Sequence, residues 1–244
     1  MQKSCIVIPC YNEGNRFPLA EFDSFYSGQS TISFCLVDDN SVDNTLELLQ
    51  SFERGRKERV HVIKLASNQG KAEAVRQGVL AALQWQNFDL VGYFDADLAT
   101  PLSEIAHLLA QFDKLPKCQM AFGSRVKRLG ANIERNPYRH YSGRIFSTMT
   151  SLILKLPVYD TQCGAKLLRV GLAKQVFDRP FLSRWLFDIE IFARINQLYR
   201  REKVSQILIE VPLNEWIEKG DSRIELVHIL KVPIELFRIY QKYR

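Results

Sequence analysis

Short apolar runs alternate with polar turns through the first half of the chain, and the runs are rich in β-branched and aromatic residues. Ile6 to Pro9, Ile32 to Val37, Val60 to Leu65 and Leu90 to Phe94 each read as a buried strand, and Gln119 to Gly123 as a fifth. Between them the apolar period lengthens to that of a helix. Leu46, Leu49 and Phe52 share a face over Thr45 to Phe52, and Ala74, Val75, Val79, Ala82 and Leu83 do so over Lys71 to Trp85. Near-continuous apolar strands separated by amphipathic helices predict a mostly parallel sheet covered on both faces.

The alternation stops after Gly123. Residues 125 to 144 hold Arg125, Lys127, Arg128, Arg135, Arg139, His140 and Arg144, which predicts a basic loop entering a helix. Helical spacing resumes over Phe146 to Leu156 and Phe187 to Leu198, a strand is predicted at Ser205 to Val211, and an amphipathic helix closes the chain. Without an internal repeat, a low-complexity segment or a Pro/Gly/Ser-rich linker, the pattern predicts one α/β domain over residues 1–223 and an amphipathic tail over 224–244.

A chain of 244 residues with 46% hydrophobic and 25% charged residues has the composition of an ordinary globular protein. The formal charge of +6 favours acidic partners without choosing among phosphate ligands, anionic lipids and nucleic acid. Cys5, Cys10, Cys35, Cys118 and Cys163 are odd in number and scattered, which fits reduced thiols in a cytoplasmic protein rather than a disulfide framework or a zinc site. The N-terminal sequence lacks the features of a secretory signal, and no apolar run approaches the roughly 20 residues needed to span a bilayer.

In a parallel α/β sheet, ligands bind beyond the carboxyl ends of the strands. Those ends carry Pro9-Cys-Tyr11-Asn-Glu13, Val37-Asp-Asp39-Asn-Ser41, Asn68-Gln-Gly-Lys71 and Asp95-Ala-Asp97. Any one such carboxylate or amide is an ordinary turn or cap residue, but their convergence brings like charges together, which a cation would neutralise. Asp95 and Asp97 flank one small residue, so in extended backbone both face the same way and suit a hard divalent ion, Mg²⁺ or Mn²⁺.

These residues give the chain its likeness to a known family. With Ile6-Val-Ile-Pro-Cys-Tyr-Asn-Glu13, Val37-Asp-Asp-Asn-Ser41, Asn68-Gln-Gly-Lys71, Asp95-Ala-Asp97, Gly123-Ser-Arg125 and Asp160-Thr-Gln-Cys-Gly164 in order over about residues 4–190, it resembles the family 2 glycosyltransferases of GT-A fold. Within them it resembles the polyprenyl-phosphate (dolichyl-phosphate) mannosyl- and glucosyltransferases. The resemblance implies an inverting, metal-dependent transfer from a nucleoside-diphosphate sugar of the GDP-mannose or UDP-glucose type to a polyprenyl phosphate. It places Pro9, Tyr11, Glu13, Asp39, Lys71 and Asp95 at the nucleotide sugar, and the metal on Asp95 and Asp97. Arg125, Arg135, Arg139 and Arg144, with Asp160, Thr161 and Gln162, would form the acceptor-phosphate side. Asp97, Arg125 and Asp188 would be the catalytic set, with Glu190 a second orienting carboxylate. Ala99 stands where some mannosyl members carry an amide, which removes one ligand from the analogy and counts against mannose.

Other readings are a family 2 transferase acting on a glycan or lipid-linked saccharide hydroxyl, and a non-catalytic sugar-nucleotide-binding subunit. G-x-G-x-x-G and the P-loop signature are both absent, and no nucleic-acid motif accompanies the basic stretch. A lipid acceptor requires the chain to reach a membrane, by its own surface on the cytoplasmic face or through a membrane-spanning partner. In the C-terminal run from Ile224 to Tyr243, Leu226, Leu230, Ile234, Phe237 and Tyr240 or Leu236 form an apolar strip beside Lys231, Arg238, Lys242 and Arg244. That strip fits either a terminal helix packed on the domain or a helix lying in the membrane interface.

Overall fold

In the computed structural model, residues 2–134, 137–199, 201–219 and 226–244 are described, and of these the side chains of 137–142, 201 and 226–231 are left out. The first half is the expected alternation: β1 (Ser4–Cys10), α1 (Leu19–Gly28), β2 (Ile32–Asp38), α2 (Thr45–Glu53), β3 (Val60–Lys64), α3 (Lys71–Trp85), β4 (Leu90–Phe94), α4 (Glu104–Lys114) and β5 (Met120–Ser124). All seven residues of β2 and all five of β4 and β5 are buried, which is why these strands read as continuous apolar runs. The second half contains β6 (Asn132–Glu134), α5 (Pro137–Leu154), β7 (Ala165–Arg169), α6 (Val170–Val176), α7 (Phe187–Leu198), α8 (Arg201–Ile207), β8 (Leu208–Pro212), β9 (Glu215–Ile217) and α9 (Leu226–Tyr243).

The main sheet has the order β3-β2-β1-β4-β7-β5-β8, and β6 pairs with β9 in a small parallel ribbon. β1 lies between β2 and β4, parallel to both, so the strand order reverses there. β7 runs antiparallel to β4 and β5 on either side, with Tyr93 opposite Lys166 and Phe122 opposite the same lysine. The carboxyl ends of β1 to β5 thus share an edge with the beginning of β7. One apolar cluster under α1, α2 and α4 joins Phe22, Phe34, Phe52 and Phe112. The other lies under α3, α6, α7 and α9 and joins Val7, Val75, Tyr93, Phe187, Phe192 and Leu236.

The sequence pattern missed β6, β7, α6, α8 and β9, and it started α5 at Phe146 where the helix begins at Pro137. The strand expected from Ser205 begins at Leu208, because Val204 and Ile207 turn inward at helical spacing within α8. α9 runs unbroken through Pro233.

Candidate active site

The first two strand-end loops are zipped together. Asn12, in left-handed backbone with φ of 50°, donates its N–H to Ser41 Oγ at 3.0 Å and accepts the Val42 N–H at 3.0 Å. Glu13 N–H donates to Thr45 Oγ1 at 2.7 Å, and Gly14 N–H to Asp43 Oδ2 at 3.1 Å. The buried Glu13 carboxylate is held by Arg16, whose Nη2 lies 2.8 Å from Oε1. Pro9 sits in β1 opposite Val37, and Tyr11 is half-buried on the bend that follows.

Asp39 ties the second loop to the third. Its two oxygens accept the N–H groups of Gln69 and Gly70, each at 2.8 Å, and a lone pair on each oxygen is left for a ligand. Burial pushes the Asp39 carboxyl up, against the pull of those donors and of Arg184. Gly70 has φ of 86°, a conformation that side chains disfavour, and a Cβ there would meet the Arg184 stem at 3.2 Å.

Lys71 opens α3 immediately afterwards, and its Nζ lies 2.5 Å from Asp95 Oδ1. Burial pulls the Lys71 ammonium down, but Asp95, and behind it Asp188 and Asp97, outweigh burial and raise it. Past the end of β4, Ala96 is buried while Asp95 and Asp97 are partly exposed, so the two carboxylates emerge on the same side. Asp97 Oδ1 accepts the Ala99 N–H at 2.9 Å across a turn that forces Leu98 to φ of 50°. Left-handed backbone at a branched residue is costly and marks a turn held for a purpose. Burial, then the charge of Asp95, pushes the Asp97 carboxyl up.

That raised carboxyl is what a bound cation would relieve, so the two aspartates fit a hard divalent ion. Among the described residues no group of three or more His, Cys, Asp or Glu is arranged as a metal site. A cation held by Asp95 and Asp97 would therefore complete its shell with oxygens from ligand and solvent, as Mg²⁺ and Mn²⁺ do with diphosphates. Gly164 makes room for this arrangement, since a Cβ there would collide with the Asp95 carboxylate.

Gly164 ends the loop that enters β7, and because β7 is antiparallel this loop reaches the same edge from the other side. Arg125, just past β5, grips Asp160 in bidentate fashion, Nε to Oδ2 at 2.7 Å and Nη2 to Oδ1 at 2.8 Å. Burial alone would push the Asp160 carboxyl up, but the Arg125 charge and hydrogen bonds prevail and hold it at about 2. The N–H groups of Tyr159 and Asp160 donate to the Glu210 carboxylate of β8 at 2.9 and 2.7 Å, which fixes the loop from behind. Two buried polar atoms of the loop, Thr161 Oγ1 and Gln162 Nε2, have no hydrogen-bond partner among the described residues. Arg144, on α5, stacks its guanidinium 3.6 Å from the centre of the Tyr159 ring. Arg135 lies outside the described residues, and so does the side chain of Arg139.

Two carboxylates expected among the reacting or orienting groups lie deeper. Asp188, in the first turn of α7, is buried, and its Oδ1 receives both Lys166 Nζ and Tyr93 Oη. It sits beneath the site as part of an ion pair that also closes the loop, because Lys166 Nζ donates to the Thr161 and Cys163 carbonyls at 3.0 and 2.7 Å. Glu190 is turned away from the edge altogether. It pairs with Arg194 at 2.9 Å, accepts the Leu182 N–H at 2.7 Å and accepts Tyr243 Oη from α9 at 2.6 Å, a structural network. Sequence reasoning missed Lys166, Glu210 and Arg184, whose partners lie too far along the chain for spacing to reveal.

The first half of the site thus collects an acidic pair, a lysine and a carboxylate on backbone donors. The second collects two arginines and a loop with orphan polar atoms. Residues 5–177 match Glycosyl transferase family 2. The dolichyl-phosphate beta-glucosyltransferase ALG5C of Trichomonas vaginalis is 30% identical over 250 residues, 98% of this chain and 71% of that protein. The dolichyl-phosphate beta-glucosyltransferase of Saccharomyces cerevisiae is 29% identical over 98% of this chain and 74% of its own length. Among solved structures, mannosyl-3-phosphoglycerate synthase from Rubrobacter xylanophilus superposes with a TM-score of 0.72 at 16% identity, covering 99% of this chain and 73% of that one. Glucosyl-3-phosphoglycerate synthase from Mycobacterium tuberculosis, in complex with Mn²⁺ and UDP-glucose, gives 0.71 at 15%, covering 98% and 79%. The chain belongs to glycosyl transferase family 2 and is a glycosyltransferase of GT-A fold.

Proposed function

We propose that this chain transfers glucose from UDP-glucose to a polyprenyl phosphate with inversion at the anomeric carbon. The observation that carries the reading is the division of one sheet edge, with the partly exposed Asp95 and Asp97 at the end of β4 and Arg125 and Arg144, held by Asp160 and Tyr159, beyond β7. The names of the two relatives, both dolichyl-phosphate beta-glucosyltransferases, support the donor sugar and the acceptor.

In this reading Asp39 and the Gln69–Gly70 backbone meet the nucleoside, and Asp95 and Asp97 would hold Mn²⁺ or Mg²⁺. When bound, the cation supplies positive charge to the departing diphosphate. Lys71 fixes Asp95 and adds a second positive charge beside it. Arg144 and the outward edge of Arg125, with Thr161 Oγ1 and Gln162 Nε2, receive the acceptor phosphate. One phosphate oxygen attacks the anomeric carbon, the bond from that carbon to the diphosphate oxygen breaks, and the electron pair leaves with UDP. The attacking oxygen is already anionic at neutral pH, so no general base is needed. This agrees with Asp188, whose Oδ1 is taken up by Lys166 and Tyr93 and which acts as a positioning residue. A hydroxyl acceptor, by contrast, would need a base. The five cysteines are all free and buried, which suits a reducing compartment and a site on the cytoplasmic face of a membrane.

Purified protein given UDP-glucose and dolichyl phosphate in detergent should form a β-linked glucosyl phosphate lipid and release UDP. Asp97→Asn should lower kcat by roughly a hundredfold or more. EDTA should abolish turnover and Mn²⁺ restore it; undiminished turnover in EDTA would remove the metal from the mechanism. Use of a lipid-linked saccharide in preference to dolichyl phosphate would overturn the acceptor.

A further inference from the structure

Two groups close to the site have no part in the transfer as described: the buried carboxylate of Glu104, in the first turn of α4, and the tryptophan of β9. They belong to one arrangement. Glu104 Oε1 accepts the N–H groups of Asn214 and Glu215, each at 3.0 Å, and the Leu213 N–H donates to the Ser124 carbonyl at 3.0 Å. The turn between β8 and β9 is thereby fixed to α4 and to the end of β5, the strand that leads into Arg125. The far end of β9 is tied to the carboxylate side of the edge. Ile217 donates its N–H to the Ala99 carbonyl at 2.9 Å, and the Ala99 N–H is the one that Asp97 accepts.

Between these ties stands Trp216. Successive side chains of a strand face opposite ways, and Glu215 and Ile217 line a cavity with Phe25, Leu98 and Leu102, so Trp216 faces away from it. Its half-buried ring packs on the apolar cluster under α1, α2 and α4, and the ring centre lies 5.4 Å from the Arg125 guanidinium carbon. That guanidinium gives Nε and Nη2 to Asp160, which leaves Nη1, among the described residues, for a ligand. The indole therefore bounds the arginine where Asp160 does not. An aromatic face attracts a guanidinium and shields it from water, and both effects hold the group in one place.

We propose that Trp216 is a positioning residue for the acceptor, seating the Arg125 guanidinium so that its free edge stays turned to the arriving phosphate. The proposal rests on the reading of Arg125 as a receiver of that phosphate. Without the ring, Arg125 keeps its charge and its hold on Asp160 but loses its second wall, so the effect falls on acceptor affinity rather than on the donor.

The test is steady-state transfer by the full chain, comparing wild type with Trp216→Leu and Trp216→Phe. Both variants keep apolar bulk on β9, and only the second keeps an aromatic face. Trp216→Leu should raise the KM for dolichyl phosphate about tenfold while kcat stays within about twofold, and Trp216→Phe should recover most of the loss. Thermal unfolding, with and without UDP-glucose and Mn²⁺, should be the same for the two variants, which separates a misplaced Arg125 from a damaged fold. An unchanged KM in Trp216→Leu would overturn the proposal, as would a Phe variant as poor as the Leu one. A loss of stabilisation by UDP-glucose that UDP alone does not share would also overturn it, since the ring would then meet the donor sugar. If wild type passes over dolichyl phosphate for a lipid-linked saccharide, the acceptor reading fails. The Leu and Phe comparison on the KM of that saccharide then decides Trp216: a difference keeps it as the seat of Arg125, and equality removes it.

Discussion

At Gly164 a single methyl group would occupy the space that the Asp95 carboxylate fills. Gly164→Ala must therefore push Asp95 off its position beside Lys71, at a cost in stability of about 1–3 kcal/mol for the overpacking. The larger effect should be on turnover, a loss of about tenfold or more measured as kcat with saturating UDP-glucose and Mn²⁺, since displacement of a positioning group by an ångström is enough for that. Wild-type kcat in the Gly164→Ala variant would show that Asp95 is not needed where it stands. The Arg125–Asp160 pair gives a pH-dependent prediction. The Asp160 carboxyl is depressed from its usual 3.8 to about 2, so its contribution to stability is present above the unfolded value and disappears as pH falls from about 4 towards 2. That depression is worth about 2 kcal/mol. Urea unfolding should accordingly find wild type more stable than Asp160→Asn at pH 7, with the gap closing below pH 4, and a gap constant with pH would mean that Asp160 carries no such linkage.

Among the elements, α9 shows that an apolar strip read from the sequence need not coincide with the face that the core takes up. Of the strip residues, Ile234 and Phe237 lie outside, Leu236, its alternative member, is in the core together with Ile239, and Tyr243 anchors the end of the helix on Glu190. Leu236→Ala should cost about 2–5 kcal/mol in chemical unfolding, and Phe237→Ser within about 0.5 kcal/mol of nothing. Comparable losses at both positions would mean that the helix is rotated from this placement. β7 was illegible for a related reason. Lys166 interrupts its apolar run and reads as a solvent position, but the lysine is fully buried because Asp188, 22 residues later, neutralises it.

Across the molecule, legibility followed burial and distance along the chain. β1, β2, β4 and β5 are covered on both faces, so their sequences announce them, and the carboxylates at their ends announce an edge rich in charge. The identity of the partners was hidden. Arg125 closes on Asp160 across 35 residues and the Asp160 N–H reaches Glu210 across 50, and no local period encodes such pairings. Spacing likewise could show that α5 is a helix but not that Ile145, Met149 and Leu152 would stay exposed on it. The antiparallel course of β7 has one more consequence. The strand ends assigned to the sugar nucleotide are all encoded before residue 100, and the groups assigned to the acceptor all come after residue 120, the two sets meeting at the start of β7. A lineage could therefore exchange one set of substrates while inheriting the other intact, and a graft of residues 125–162 from a relative, with the glycine beneath Asp95 retained, would be a way to reassign what receives the sugar.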